Sequence, residues 1–337
     1  MARMSYILLA TLFLVVALFY PYITDSKDGE RPMREIVALT TLPPALSDII
    51  SAEYEKKSKT RIIFQPIPDA GITDELLTGS DAILVVANKD TLLKAKKNFA
   101  PYISEYWDAA PESMKDENAL WTGIFYDPIV FCMNADYLKA NKNAPLTWQN
   151  LAKTHGVKIG MTDFLAADAM QNLLFSMIAE YGDAAAYQIW RGIHPNVIQY
   201  AKYLNNPVRQ AGMGEADVAV AVESEAIRYL NDDYPLKIIY PRDGTAYMLI
   251  GSGIVKDKYA EDEVAAKEFS DWMQTDEAHQ ILQANGFYFI PVNPATLTYK
   301  SYAGKDLYLY TMPTNFTNEQ KHNFLDRWVK YIRLGGR

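Results

Sequence analysis

The sequence predicts an α/β protein of two domains, and three observations predict it. At 337 residues the chain exceeds what one compact domain usually needs. Its composition is that of an ordinary globular protein, with 49% apolar and 22% charged residues. Short apolar runs alternate with amphipathic stretches, the rhythm of parallel strands joined by crossover helices. A chain of this size closes sizeable cores without disulfides or structural metals. The single cysteine, Cys132, leaves no internal disulfide to form.

The first element is not part of that body. Arg3 precedes an apolar stretch from Tyr6 to Tyr20, and a polar segment from Thr24 to Pro32 follows. A positive start, an apolar middle and a polar exit read as an export signal with the rest of the chain outside the cytoplasm. Phe19, Tyr20, Pro21 and Tyr22 stand where a small-x-small cleavage site is expected, and no cysteine is there to accept a lipid. Tyr6 to Ile23 nearly spans a hydrocarbon core of about 30 Å. Residues 1–32 therefore read as an uncleaved signal anchor and linker that tether the body to a membrane, with cleavage as the rival reading.

In the body, Glu35 to Leu39 reads as a strand. Pro43 and Pro44 suit a helix start, because proline lacks the N–H that the first turn leaves unused. Leu46, Ile49, Ile50 and Tyr54 then fall on one helical face. Arg61 to Phe64 and Ala82 to Val86 are the next strands. A second unit begins near Val130, where Ile129 to Met133 forms an apolar run that buries Cys132 as a small hydrophobe. Lys158 to Met161 is a strand, and Ala167 to Tyr181 a helix with Leu173, Leu174, Met177, Ile178 and Tyr181 on one face. Asp217 to Val222 and Leu236 to Tyr240 are strands separated by a helix around Glu225 to Leu230. The tail is helical over Asp262 to Met273, Glu277 to Ala284 and Asn318 to Ile332.

The formal net charge of −8 speaks against nucleic acid as a partner, since phosphate binding needs clustered Lys and Arg. His155, His194, His279 and His322 form no pattern with Cys132 or with one another that would activate a nucleophile or hold a metal. No enzyme, cofactor or metal site is expected.

Ligands of open α/β sheets sit beyond the carboxyl ends of the strands. That rule selects Thr40, Thr41 and Asn88 in the first unit. In the second it selects Thr162, Asp163, Glu223, Ser224, Asp243, Gly244 and Thr245. Each also has a purely local reading: Thr41 begins a turn, Thr162 or Asp163 caps a helix, and Asp243-Gly244 makes a turn by itself.

Several motifs carry a family resemblance by their order. They are Trp121-x-Gly123 before an apolar strand ending in Asn134, Pro145-Leu146-Thr147-Trp148-Gln149-Asn150-Leu151, and Gly214-Glu215-Ala216-Asp217. Pro241-Arg242-Asp243-Gly244-Thr245, Ala265 to Phe269, Gln280-Ile281-Leu282, Gly286 and Pro291 complete the series. Over roughly residues 35 to 295 the chain resembles the periplasmic solute-binding proteins of iron(III)-type and phosphonate-type ABC importers. The resemblance implies a type II periplasmic-binding-protein fold, two α/β lobes with mostly parallel sheets facing each other across a cleft. Lobe 1 would comprise 33–129 plus 246–337 and lobe 2 would comprise 130–245. A hinge of two segments, near Pro128 to Asn134 and near Asp243 to Ile250, would join them. It implies a monomer that hands a small-molecule ligand to an ABC permease and its ATPase, and it places ligand contacts in the strand-end loops selected above.

Two departures bear on the ligand. Ferric-binding relatives carry adjacent tyrosines where this chain has Glu223-Ser224-Glu225-Ala226, which speaks against direct ferric binding of that type. Thr162-Asp163-Phe164-Leu165-Ala166-Ala167 lacks the glycine of anion-binding relatives, and Asp163 and Glu223 would repel an anion. The sequence thus leans toward a cationic or zwitterionic organic solute, with a ferric or phosphonate-type receptor and a membrane-tethered sensing module as alternatives.

Overall fold

The computed structural model describes residues 34–67, 77–302, 305, 307–313 and 315–335. The expected anchor and linker, 1–32, lies outside the described residues. No helix among those described is long and apolar enough to cross a membrane.

Among the described residues eleven strands form one curled mixed sheet in the order β2-β1-β3-β10-β5-β8-β6-β7, with β4, β9 and β11 paired off this path. In chain order these are β1 (Arg34–Thr40), β2 (Thr60–Pro66), β3 (Leu84–Asn88), β4 (Phe99–Ala100), β5 (Thr122–Asn134) and β6 (Ile159–Thr162). They continue with β7 (Val197–Ala201), β8 (Val218–Val222), β9 (Leu236–Ile239), β10 (Tyr247–Val255) and β11 (Ile290–Pro291). Pairing is parallel for β2-β1-β3 and for β8-β6-β7. The two central strands, β10 and β5, run antiparallel to these neighbours, because each carries the chain from one half of the sheet to the other.

β5 belongs to both halves. Its first part pairs with β10 and β11, while Ile129 to Met133 pair with β8. Pro128, which has no N–H to offer a ladder, stands at the change of partner. The return passes beside it: the Ile129 amide donates to the Ala246 carbonyl at 2.9 Å, and Thr245 Oγ1 donates to the Ile129 carbonyl at 2.7 Å.

Each half is covered on both faces, which is why its strands read as continuous apolar runs. In β3, Leu84 and Val86 pack into one core while Val85 and Ala87 pack into the other. The first of these cores is closed by α1 (Pro44–Ser58) through Leu46, Ile50 and Tyr54, and by the late helix Ala260–Trp272 through Phe269 and Trp272. In the second half Val218, Val220 and Val222 face one core and Ala219 and Ala221 the other. Cys132 is fully buried in the latter, and burial pushes its thiol up to about 12.

The helices that matter for the site are α2 (Lys89–Ala95), α3 (Trp148–Lys153), α4 (Asp168–Tyr181), α5 (Asp183–Ile193), α6 (Glu223–Asn231) and α7 (Asn318–Trp328). The last is held at its start by a capping box between Thr317 and Gln320. Its apolar face does not join the first half. Tyr310, Trp328 and Ile332 are buried in the core of the second half. Trp328 lies edge-on to Phe164 at 4.7 Å and to Tyr200 at 5.6 Å. On its way there the chain pairs Leu309 with Thr245, at the return segment of the hinge.

Candidate functional site

A cavity of about 780 Å³ lies between the two halves of the sheet. From the first half it is lined by Thr41, Asn88 and α2; from the second, by Leu165 to Asp168 and the first turns of α4. The α7 helix closes a third side with Asn318, Lys321, His322 and Leu325.

Local chemistry positions the first wall. Thr41 Oγ1 accepts from the Asn88 amide at 2.9 Å, and the Asn88 side chain caps α2 by accepting from the Thr91 amide at 2.9 Å. This fixes the amino-terminus of α2, with Lys89 and Asp90 in its first turn, against the cavity. Lys89 donates to the Ser113 carbonyl at 2.8 Å, and burial lowers its pKa from the usual lysine value. On the facing wall α4 starts after Ala167, a residue with no side chain able to cap it. The uncapped amino-terminus of α4 thus faces the cavity and brings partial positive charge.

The described side chains add to that sign. Lys89, Lys94 and Lys321 line the cavity against Asp90 and Asp168. Asp90 is shared: Lys321 Nζ lies 2.8 and 2.9 Å from its two oxygens, and Lys94 Nζ lies 3.2 Å away. Desolvation pushes the Asp90 carboxyl up, but the two ammonium groups hold it below the ordinary carboxylate value.

The ten residues selected from strand ends divide into four groups. Thr41 and Asn88 line the cavity. Thr40 and Thr162 turn inward: their hydroxyls donate to the Val86 and Tyr203 carbonyls at 2.8 and 3.1 Å, and both residues are buried. Asp243, Gly244 and Thr245 build the return turn. Asp243 Oδ1 accepts from the Trp148 amide at 3.0 Å at the head of α3, and the Gly244 carbonyl accepts from the Trp148 indole at 2.9 Å. The last three, Asp163, Glu223 and Ser224, are engaged within the protein.

Asp163 is paired with Arg333 at 3.1 Å. Glu223 is fully buried at the start of α6, where one oxygen accepts from the Tyr240 hydroxyl and the other has no partner among the described residues. Ser224 donates its amide and hydroxyl to Asp127 at 3.0 and 2.5 Å. Burial pushes both Glu223 and Asp127 up to about 7, against the opposing hydrogen bonds from Tyr240 and Ser224. Neither Asp163 nor Glu223 is among the described residues that line the cavity, so the repulsion of anions expected from them is not built into its wall. Lys89, Asp90, Lys321 and the bare start of α4 were missed by the strand-end rule.

Gly244 makes one testable point about the return turn. Its φ of +92°, and a Cβ that would fall 2.4 Å from ring atoms of Tyr308 and Tyr310, leave no room for a side chain. Gly244→Ala is expected to destabilise the fold by about 1–3 kcal/mol in chemical denaturation. An unchanged midpoint would show that the Tyr308–Tyr310 segment is not held there.

Residues 35–288 match the family described as bacterial extracellular solute-binding protein. An uncharacterized protein of Haemophilus influenzae is 24% identical over 241 residues, 69% of this chain and 69% of that one. Among solved structures the chain resembles the periplasmic binding protein AfuA of Actinobacillus pleuropneumoniae with fructose-6-phosphate bound. The TM-score is 0.68 and the identity 19%, covering 89% of this chain and 99% of that one. It also resembles the apo ferric ion-binding protein A of Pasteurella haemolytica, with a TM-score of 0.71 and 16% identity over 90% of this chain and all of the other. The ferric binding protein of Campylobacter jejuni gives 0.65 and 20%, over 89% and 99%. These likenesses identify the two-lobed α/β fold.

Proposed function

Because the chain belongs to the family of bacterial extracellular solute-binding proteins, we propose that it captures a small acidic solute between its lobes and hands it to the permease and ATPase of an ABC importer. The observation that carries the ligand class is the convergence of Lys89, Lys94 and Lys321 with the amino-terminus of α4 on one cavity of about 780 Å³. Backbone amides at a helix start favour an oxyanion, and ammonium groups close its charge. A phosphate- or carboxylate-bearing organic molecule fits that volume and sign.

Closure would turn about the two adjoining segments, Asp127 to Ile129 and Thr245 to Tyr247. The first lobe is then 33–129 with the return strand and the helices up to Lys300. The second lobe is 130–245 together with α7, whose aromatic anchor lies in its core. Delivery would be to a membrane partner, and the apolar stretch Tyr6 to Tyr20 supports export and a tether there.

A ligand that binds only the native cleft raises thermal stability, by about 2.7 kcal/mol at a hundredfold excess over Kd. A melting screen of sugar phosphates, phosphonates, di- and tricarboxylates, amines and ferric citrate is expected to show the shift with one of the acids. A shift confined to amines or to ferric ion would overturn the acidic-solute reading, and no shift with any class would count against a solute receptor.

A further inference from the structure

The α7 helix begins thirty residues beyond position 288, where the family match ends. It is nonetheless built into the cavity. One end is fixed to the second half of the fold: Tyr187 donates to the Phe324 carbonyl at 2.6 Å, Arg327 pairs with Asp183 at 2.5 Å, and Trp328 is fully buried. Near the other end, Lys321 crosses to the first half, where it meets both oxygens of Asp90 on α2. Its ammonium also lies 5.9 Å from the ring of Phe175 on α4.

Lys321 therefore stands between the walls, and its partner is a carboxylate that itself lines the cavity. The side chains of the pair keep 19% and 44% of their exposure, so water reaches the contact and the bond is readily exchanged. Asp90 presents to Lys321 what an acidic solute would present: two oxygens bearing one negative charge. Lys94 remains beside Asp90 when Lys321 leaves, so the carboxylate does not lose its last counter-charge.

We infer that Lys321 selects acidic solutes for this receptor, and that Asp90 occupies its ammonium until such a solute displaces it. The inference rests on the acidic-solute reading above and adds a competitor to it. The two partners then act with opposite sign. Lys321→Ala removes the recognising charge, and affinity falls about tenfold or more. Asp90→Asn removes the competitor, and affinity rises about threefold. Lys321→Arg keeps a charge and retains most of the binding.

The test is calorimetric titration of the full chain with fructose 6-phosphate and with inorganic phosphate, for the parent protein and these three variants, each first checked for an unchanged melting profile without ligand. Opposite changes in Kd for Lys321→Ala and Asp90→Asn are the expected result. If the parent binds either acid and the two variants shift Kd in the same direction, or not at all, Lys321 and Asp90 are a structural tie and the inference is wrong. If the parent binds neither, the same comparison is made with the phosphonate or carboxylate that raises its melting temperature, and if no acid of that screen binds, the acidic-solute reading falls and this inference falls with it.

Discussion

Replacing Trp328 by alanine is expected to destabilise the protein by about 3–5 kcal/mol, the usual cost of deleting a buried large aromatic. Trp328 has no exposed surface, and the rings of Phe164, Trp190, His194 and Tyr200 all lie within 6.3 Å of its own. The void left behind would be bounded by aromatics already fixed from α5 and the strand-end loops, so little collapse can fill it. Trp328→Phe should lose much less. Urea unfolding of the two variants checks the size of the effect. Calorimetry with an acidic solute checks its reach, because a loosened α7 no longer places Lys321. A loss under 1 kcal/mol would mean that the carboxyl-terminal helix is not anchored in the second core.

Glu223→Gln is expected to do the opposite, and only at higher pH. The folded-state pKa of Glu223 is raised from 4.5 to about 7, first by burial, with the Tyr240 hydroxyl and the Lys305 charge opposing. The folded protein thus holds a proton that the unfolded chain releases between about pH 4.5 and 7, and stability falls as pH rises through that window. Above it, the ionised carboxylate costs the fold about 3 kcal/mol, an order-of-magnitude figure. Glutamine keeps an acceptor for Tyr240 and carries no charge to desolvate. The variant should therefore melt several degrees above the parent at pH 8 and level with it at pH 5. Equal shifts at both values would show that the gain, if any, does not come from ionisation. Asp127 is pushed up to about 7 mainly by the same burial, with the Glu223 charge adding, so part of the pH dependence will survive in the variant.

These two residues also show how far the sequence could be read. Strands buried on both faces announce themselves, and Ala82 to Val86 and Asp217 to Val222 were found within two residues of β3 and β8. The helix over Asn318 to Ile332 was equally visible, because Leu325, Trp328 and Ile332 recur at helical spacing. Such spacing says that a face is buried and not what buries it, so the pattern by itself assigns the helix to neither lobe. The same holds for single polar residues at strand ends. Thr40 and Thr41 are adjacent and chemically identical, yet one hydroxyl turns into the sheet and the other lies at the cavity. The Lys321–Asp90 contact joins positions 231 residues apart. Its local sequence on either side is that of an ordinary solvated helix turn.

The threading of the chain has a consequence for its synthesis. The first core waits for Ile254, Phe269 and Leu282, and the second waits for Trp328 and Ile332. A ribosome releases the chain amino-terminus first, so these two cores gain their last members only from residues beyond 240, whereas the core around Cys132, Ala219 and Ala221 is complete by Leu236. Domains generally fold as units during synthesis, and neither of the first two cores is whole until the return strand and the late helices have been made. For a family whose members work outside the cell, full closure of these cores therefore comes only after most of the chain has been made.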